Sequence, residues 1–278
     1  MTRRYIGLIR QKSQGSVKYF TDVEAKETLS SRKFNSNEPR VKRSTYKFKT
    51  GAQYTGEWQG GFRDGKGEQV WPDGARYTGE WKLNKAHGDG LFIHADGDIY
   101  DGFWVNDKAN GFGCYKHIDG TKYTGDWKDD LQHGYGEETW ADGGVFRGQY
   151  NFGEKHGIGD YQWADRGHYT GEWRENKLNG LGHYSWPDGR EYYGYWRDNN
   201  MHGLGFYFWP DGRKYEGSFE NDKKQGFGVY SWQDGRRYEG YWARNRQHGL
   251  GTYLVPKDGK LKFGLWEQGQ RIEWFNDQ

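Results

Sequence analysis

The sequence repeats every 23 residues, and this period limits the possible folds more than any other feature of the chain. Nine consecutive units begin with an aromatic residue: Tyr54, Tyr77, Tyr100, Tyr123, Phe146, Tyr169, Tyr192, Tyr215 and Tyr238. In every unit a glycine follows two positions later and a second ring follows four positions later, as in Tyr54, Gly56 and Trp58. Such a constant register indicates a tandem array of one supersecondary unit.

Each unit is predicted to be a β-hairpin. Residues at i, i+2 and i+4 lie on one face of a strand, so the Tyr, Gly and Trp of each motif share that face. A Gly-x-Gly pair follows, Gly65 and Gly67 in the first unit, and a second aromatic strand then ends at an Asp-Gly turn such as Asp188-Gly189. We assign both glycine elements to chain reversals, because glycine tolerates the backbone angles of tight turns. No segment within 54–266 shows helical periodicity.

A hairpin of this length cannot bury its rings alone, so neighbouring units must stack along one sheet. Some 18 strands, spaced about 4.8 Å apart, would form an elongated antiparallel sheet roughly 90 Å long. The apolar surface for folding would come from 15 Trp and 22 Tyr, because only 33% of the residues are hydrophobic. This composition argues against a thick core of branched aliphatic side chains.

The repeat resembles that of the MORN family. Tyr169-Thr-Gly-Glu-Trp173, followed by Asn179-Gly-Leu-Gly182, carries the resemblance, and matching units cover 46–268, about four fifths of the chain. The resemblance implies an all-β fold, a single-layer twisted antiparallel sheet of tandem 23-residue hairpins, with an aromatic groove along one face.

Three regions are predicted along the chain. A basic N-terminal arm spans 1–45, the repeat array spans 46–268, and a C-terminal tail spans 269–278. The array opens with a half repeat, contains nine full repeats from Tyr54 and ends in a truncated tenth. The arm holds eleven Lys and Arg against four Asp and Glu, and the remainder carries a net charge of −5. We expect the arm to be extended or to form a short helix within 21–29.

The sequence provides no catalytic, metal-binding or cofactor-binding constellation. Five histidines share one repeat position: His87, His133, His156, His202 and His248. Equivalent atoms of adjacent units would lie about 10 Å apart, too far to share a metal ion, so we interpret these histidines as hydrogen-bonding residues. Gly60 to Lys66 resembles a phosphate-binding loop, but it precedes a hairpin and not a helix. We therefore predict a protein that is not an enzyme and needs no cofactor, metal or small-molecule substrate.

The aromatic face is the first candidate protein-binding surface. Its residues are Tyr54, Trp58, Tyr77, Trp81, Tyr100, Trp104, Tyr123, Trp127, Tyr169, Trp173, Tyr192, Trp196, Tyr215, Tyr238 and Trp242. A single-layer sheet has no second layer over these rings, and contiguous apolar surface often marks an interaction site. They could equally be the core, and we keep both interpretations: the rings pack together and their outer edges form a groove for a peptide or helix. The opposite face carries an apolar row, a second contact surface, at Ile158, Leu181, Leu204, Phe227 and Leu250.

The basic residues of the arm are the second candidate site. They are Arg3, Arg4, Arg32, Lys33, Arg40, Lys42 and Arg43. They could belong to a solvated tail, or they could dock on an acidic protein, on tubulin tails or on anionic lipid. Nucleic acid is not expected as a partner, because the aromatic body is not basic.

The first functional hypothesis is a structural scaffold for protein docking in a cytoskeletal assembly. Resemblance to short MORN proteins implies the ciliary axoneme, at a radial spoke or a neighbouring complex, with partner subunits in the groove. The alternative is a membrane-surface adaptor that binds anionic phospholipid through the basic arm and the repeats. Exposed terminal hairpins could pair end to end, which allows a homo-oligomer. A single cysteine, Cys114, and the lack of an apolar leader or spanning segment predict a cytoplasmic location.

Overall fold

The computed structural model describes residues 19–28, 37–257 and 259–275 of the 278-residue chain. This part of the chain contains one helix and 21 strands. They are α1 Asp22–Thr28, β1 Val41–Lys47, β2 Gln53–Gln59, β3 Phe62–Val70, β4 Arg76–Lys82, β5 Lys85–Ile93, β6 Ile99–Val105, β7 Lys108–Lys116, β8 Lys122–Lys128, β9 Leu131–Thr139, β10 Val145–Asn151, β11 Glu154–Gln162, β12 His168–Arg174, β13 Lys177–Ser185, β14 Glu191–Arg197, β15 Asn200–Phe208, β16 Lys214–Glu220, β17 Lys223–Ser231, β18 Arg237–Ala243, β19 Arg246–Val255, β20 Lys260–Glu267 and β21 Gln270–Trp274. The strands form one open antiparallel sheet. The prediction of an all-β sheet of tandem hairpins is confirmed.

A row of paired glycines sets the register between strands. Gly56 of β2 pairs with Gly67 of β3, and Gly67 pairs with Gly79 of β4. A Cβ built on Gly56 would lie 2.5 Å from the Cα of Gly67 and 2.7 Å from the hydroxyl oxygen of Tyr54. Glycine is therefore required here because the Tyr54 ring lies directly against the backbone of the strand pair.

The reversal inside each hairpin is a two-residue turn that the sequence analysis did not identify. Leu83 and Asn84 connect β4 to β5 with φ values of 51° and 71°. Positive φ at both central residues is characteristic of a type I′ turn, whose twist suits a hairpin. Gly65 and Gly67 instead lie inside β3, beside a register shift in its pairing with β2.

The assignment of Gly-x-Gly to a reversal is therefore wrong. Gly65 has a φ of +105°, and the freedom of its backbone serves a bulge within the strand pair. The assignment of Asp-Gly to the other reversal is correct. The Gly189 N–H donates to the Trp186 carbonyl across 3.0 Å, which closes the turn between two consecutive hairpins.

Consecutive type I′ turns are joined by a reciprocal pair of hydrogen bonds, which we call the turn clamp. The Asn199 N–H donates to the Leu178 carbonyl (3.1 Å), and the Leu178 N–H donates to Oδ1 of Asn199 (2.8 Å). The same two bonds join Asn84 to Arg63, Asp107 to Ala86, Asp130 to Ala109, Asn176 to Lys155, Asp222 to Met201 and Asn245 to Lys224. Gly153 lacks a side-chain acceptor, and its N–H donates to the Gln132 carbonyl across 2.8 Å.

The chain divides into two compact bodies. The N-terminal body comprises the described residues through Gly143 together with Gln149–Glu154, and the C-terminal body comprises Gly144–Gly148 and the described residues from Lys155 onward. The sheet begins at Val41 and ends at Trp274, so it extends past both predicted ends of the array, 46 and 268. Helix α1 lies inside the 21–29 segment of the arm where the sequence suggested a short helix.

Candidate docking surfaces

The Tyr and Trp residues predicted as a groove form a packed inner layer. Fourteen of the fifteen are buried, and only Trp127 remains partly exposed. The Tyr54 ring meets Trp58 of its own strand at 5.0 Å and 89°, and it meets Trp81 of the next unit at 5.4 Å and 83°. Edge-to-face contacts of this kind repeat along each body. These rings are therefore the core, and their contact with a partner stays a prediction.

Hydrogen bonds fix the polar ends of the inner-layer rings. The Tyr54 hydroxyl donates to the Glu57 carbonyl at 2.9 Å, and Nε1 of Trp81 donates to the Gly67 carbonyl at 3.2 Å. Burial raises the pKa of the inner-layer tyrosines, and that of Tyr238 reaches about 12. These phenols therefore remain neutral donors at physiological pH.

A second set of rings in the C-terminal body packs against the inner layer and forms an aromatic ladder. Its members are Trp163, Tyr184, Trp186, Tyr207, Trp209, Tyr230, Trp232 and Tyr253. Consecutive ring centroids lie 4.4 to 5.8 Å apart. The four tryptophans are partly exposed. Sequence reasoning did not assign this surface, although the 23-residue spacing of its tryptophans marks it.

The arm covers part of the corresponding surface of the N-terminal body. Tyr19 and Phe20 pack on Trp71, with ring centroids 5.3 Å away in both cases, and Trp71 is only 7% exposed. Nε1 of Trp71 donates to the Tyr19 carbonyl at 3.0 Å. Part of the arm is therefore a component of the N-terminal body.

In both bodies a cation occupies one repeat position beside the rings: Arg63 in the N-terminal body, and Lys155 and Lys224 in the C-terminal body. Lys155 Nζ lies 4.9 Å from the Phe146 centroid. The Arg63 guanidinium lies 4.4 Å from the Trp81 centroid, and burial lowers the pKa of Arg63 to about 10 while the Glu24 and Asp107 carboxylates oppose that shift. Lys224 Nζ lies 4.2 Å from the Tyr230 centroid and 4.7 Å from that of Trp242. Burial, and then the like charge of Arg213, lower the pKa of Lys224 to about 8.

The opposite face of the C-terminal body carries the apolar row that the sequence indicated. The exposed fractions are 58% for Ile158, 51% for Leu181, 64% for Leu204, 49% for Phe227 and 46% for Leu250. The row is denser than the sequence analysis recognised. Tyr195 pairs with Leu181 and Tyr241 pairs with Phe227 across neighbouring strands, and both tyrosines are about half exposed.

The predicted basic docking residues are divided between two situations. Arg40 forms a salt bridge to the buried Asp64 at 2.8 Å, and the Arg43 guanidinium lies 5.5 Å from the Trp58 centroid. Lys42 is exposed on β1. The remaining predicted residues, Arg3, Arg4, Arg32 and Lys33, lie outside the described residues.

At the repeated histidine position one ring, that of His133, supports a turn, whereas the buried Nδ1 atoms of His87 and His202 have no hydrogen-bond partner among the described residues. The Phe152 N–H donates to Nδ1 of His133 at 3.4 Å, as the Leu83 N–H donates to Oδ2 of Asp64 at 3.0 Å in an earlier unit. In 19–28, 37–257 and 259–275, no three His, Cys, Asp or Glu side chains are grouped to hold a metal ion. No helix in those ranges is long and apolar enough to span a membrane.

Comparison with known proteins supports the repeat assignment. The MORN repeat model matches nine consecutive segments: 54–76, 77–99, 100–122, 123–145, 146–168, 169–189, 192–212, 215–236 and 238–258. None of the curated proteins matches the sequence. The TCP10 domain of Danio rerio CPAP aligns with 74% of this chain and 96% of its own, at 13% identity and a TM-score of 0.39.

The TCP domain of Drosophila melanogaster SAS-4 (dCPAP), solved with a proline-rich motif of Ana2 (dSTIL), is a second similar structure. It aligns with 72% of this chain and 90% of its own, at 13% identity and a TM-score of 0.33. Both TM-scores are too low to support an inference about function.

Proposed function

Because the chain belongs to the MORN repeat family, we propose that it is a non-catalytic docking scaffold in a cytoskeletal assembly. Its proposed location is the ciliary axoneme, at a radial spoke or a neighbouring complex. Partner helices or peptides bind the exposed parts of the aromatic face, and the apolar row on the opposite face is a second surface that binds a partner.

The exposed apolar row of the C-terminal body carries this proposal. Leu204 and Phe227 are each about half exposed or more, and such side chains gain roughly 25 cal/mol for each Å² that a partner covers. The row is not an obligatory feature of the repeat. The same position holds Lys66 and Asp89 in the first units of the N-terminal body, and the exposed Phe112 and Tyr135 in the next two. A row of exposed apolar side chains at one repeat position indicates an interaction site.

Proximity crosslinking in ciliated cells tests the proposal. Wild type is compared with the double variant Leu204→Lys/Phe227→Lys and with Asp89→Lys, which places the same charge at the equivalent position of the N-terminal body. The proposal expects a fixed set of axonemal proteins that the double variant loses and Asp89→Lys retains. Equal recovery by all three proteins would refute the role of the row.

The membrane-adaptor alternative has a separate readout. Arg40 and Arg43 contact the chain itself, which reduces the charge that the described arm offers to anionic lipid. Co-sedimentation with phosphatidylserine vesicles at low and high salt measures the remaining affinity. Salt-sensitive binding, together with recovery of membrane proteins in cells, would replace the scaffold by the adaptor.

A further inference from the structure

The arm shows what kind of segment the aromatic face accepts. Phe20 contacts five rings of the N-terminal body, with centroid distances between 5.3 and 6.1 Å. Helix α1 follows at once and places Glu24, which is 3% exposed, where its charge acts on the buried Arg63. The Thr50 hydroxyl donates to Oε1 of Glu24 at 3.1 Å. The occupant is thus an aromatic pair followed, four residues after the second ring, by a carboxylate.

The ring site beneath the arm is repeated in the C-terminal body. We define the first aromatic site as Arg63, Trp71, Tyr77, Trp81, Phe92 and Trp104. The second aromatic site consists of Lys224, Trp232, Tyr238, Trp242, Tyr253 and Trp266. The two sets occupy the same repeat positions, seven units apart. Every residue of the first set has a counterpart of the same chemical class in the second.

The geometry of the two sites agrees closely. The Trp71–Phe92 centroid distance is 5.6 Å, and its counterpart Trp232–Tyr253 is 5.8 Å. The buried cation lies 4.4 Å from Trp81 in the first site, and Lys224 lies 4.7 Å from Trp242 in the second. The Tyr77–Trp104 distance of 5.2 Å likewise corresponds to 5.0 Å between Tyr238 and Trp266.

The second site differs from the first in what covers it and in which charges act on its cation. Trp71 and Phe92 are buried under the arm, whereas Trp232 and Tyr253 are partly exposed. Asp107, which acts on Arg63, corresponds in the repeat register to Gly269. No described residue of the C-terminal body forms a salt bridge with Lys224, and Arg213 is the charged group that affects it. The second site thus has the rings and the cation but neither the aromatic pair nor the carboxylate.

We infer that the second aromatic site binds an acidic segment of a partner protein, composed like residues 19–28: two adjacent aromatic residues followed by a short helix that carries a carboxylate. The inference rests on the proposed docking function and specifies one class of partner for it. The aromatic pair covers Trp232 and Tyr253, and the carboxylate pairs with Nζ of Lys224. Pairing of this partly buried ammonium with a carboxylate is favourable because a charge-assisted hydrogen bond is strong where the dielectric constant is low, and Lys224 has already lost hydration on folding.

A peptide with the sequence of residues 19–28, labelled with a dye at its C-terminus, is the probe. Fluorescence anisotropy measures its binding to the full-length chain, beside matched peptides in which Phe20 is replaced by Ala or Glu24 by Gln. The protein variants are Lys224→Met and, as the control, Lys223→Met. Lys223 is the residue before Lys224, and its side chain is exposed. Neither variant changes the first aromatic site. Any peptide that displaces the arm there would therefore bind that site equally in all three proteins.

Wild type and Lys223→Met are expected to bind the parent peptide about tenfold more tightly than the Gln peptide. Lys224→Met is expected to bind both peptides alike, and the Ala peptide is expected to bind none of the three proteins measurably. Absence of saturable binding near about 1 mM peptide, or a Glu preference that survives in Lys224→Met, would overturn the inference.

Sedimentation of the chain alone identifies the competing occupant. Dimers that Lys224→Met abolishes and Lys223→Met retains would mean that the arm of a second copy fills the site, which overturns the assignment to a partner protein. The outer apolar row reports separately on the docking function. If Leu204→Lys/Phe227→Lys loses axonemal partners while the peptide fails to bind, only the assignment of the second aromatic site fails.

Discussion

The N-terminal and C-terminal bodies are built from one repeat, yet they leave the same aromatic face in different states. In the N-terminal body Tyr19, Phe20 and α1 cover the rings, and Glu24 acts on the buried Arg63. In the C-terminal body the aromatic ladder remains partly exposed and Lys224 has no such carboxylate. The repeat therefore determines the backbone and the inner layer, whereas the variable positions determine which rings and charges each body leaves exposed.

Substituting one paired glycine in each body should show first how far the two bodies are equivalent. A Cβ at Gly67 would lie 2.5 Å from the Tyr54 ring, and one at Gly228 would lie 2.6 Å from Cζ of Tyr215. We expect Gly67→Ala and Gly228→Ala each to lower the free energy of unfolding of its own body by about 3 kcal/mol or more. Hydrogen exchange, followed by mass spectrometry of peptides from each body, measures the effect.

Gly74→Ala is the control for this pair. Gly74 has a φ of +93°, but no heavy atom lies within 4 Å of a Cβ at that position. Only backbone strain should result, at a cost of about 1 kcal/mol. If Gly67→Ala costs no more than Gly74→Ala, close contact between the ring and the glycine row does not hold the hairpins together.

Removing the main ring of the arm should make the bodies diverge. We expect Phe20→Ala to destabilise the N-terminal body by about 2–3 kcal/mol, because five ring contacts are lost, and to leave the C-terminal body unchanged. Hydrogen exchange of β4 and β5 is the readout. Val23→Ala, at a side chain that is 56% exposed, should change stability by less than about 0.5 kcal/mol. Equal effects of the two variants would show that the arm does not stabilise the first site.

Lys224→Met should stabilise the C-terminal body by an amount on the order of 1–2 kcal/mol at pH 7. Burial lowers the pKa of Lys224 to about 8, so the folded protein holds this charge at a cost that the unfolded chain does not have. Below pH 8 the cost is fully present. Between pH 8 and about 10.5 the unfolded chain binds more protons, so wild-type stability rises with pH and the gain from Lys224→Met shrinks.

Urea denaturation of wild type and Lys224→Met at pH 7 and pH 9.5 measures the difference in their free energies of unfolding. Lys223→Met is the matched control, and we expect its stability to parallel that of wild type at both pH values. A gain for Lys224→Met that is the same at pH 7 and pH 9.5 would assign the effect to packing and not to the buried charge.

The smallest expected effect concerns the turn clamp, which both bodies use. Asn199→Gly keeps a residue that tolerates positive φ but removes the side-chain acceptor, and should cost about 1 kcal/mol. Gly153→Asn should restore the missing acceptor for the Gln132 N–H and add about 0.5 kcal/mol. Thermal denaturation of both variants provides the measurement. Shifts of the same sign in the two proteins would contradict the clamp.

Much of this fold follows from the repeat alone. The spacing of Tyr54, Gly56 and Trp58 predicts a strand with one aromatic face, and the structure has β2 at Gln53–Gln59. Gly-x-Gly was misplaced because glycine permits a bulge as readily as a turn. The true turns begin with residues such as Leu83, Glu175 and Arg244, which do not signal positive φ in a sequence.

The sites were harder to predict than the sheet. The inner-layer rings alternate correctly with polar residues, but alternation does not tell whether a ring is covered. Coverage at Trp71 depends on Tyr19, which lies 52 residues away and outside the repeat pattern. The state of Lys224 depends on a neighbour as well. Tyr230 occupies the repeat position at which Gln69 accepts a hydrogen bond from Arg63 in the N-terminal body.

The turn clamp also makes the two rows of turns, one at each end of the strands, differ in how they tolerate changes in chain length. Each clamp links only consecutive units, so duplication or deletion of a block of 23 residues would leave all the remaining clamps intact. At the end of the array the Gly269 N–H still donates to the Gln247 carbonyl, 22 residues back instead of 21, because the extra residue lies in the turn between β19 and β20. The row of Asp-Gly turns can therefore acquire insertions during evolution, while the row of clamped type I′ turns maintains the register between units.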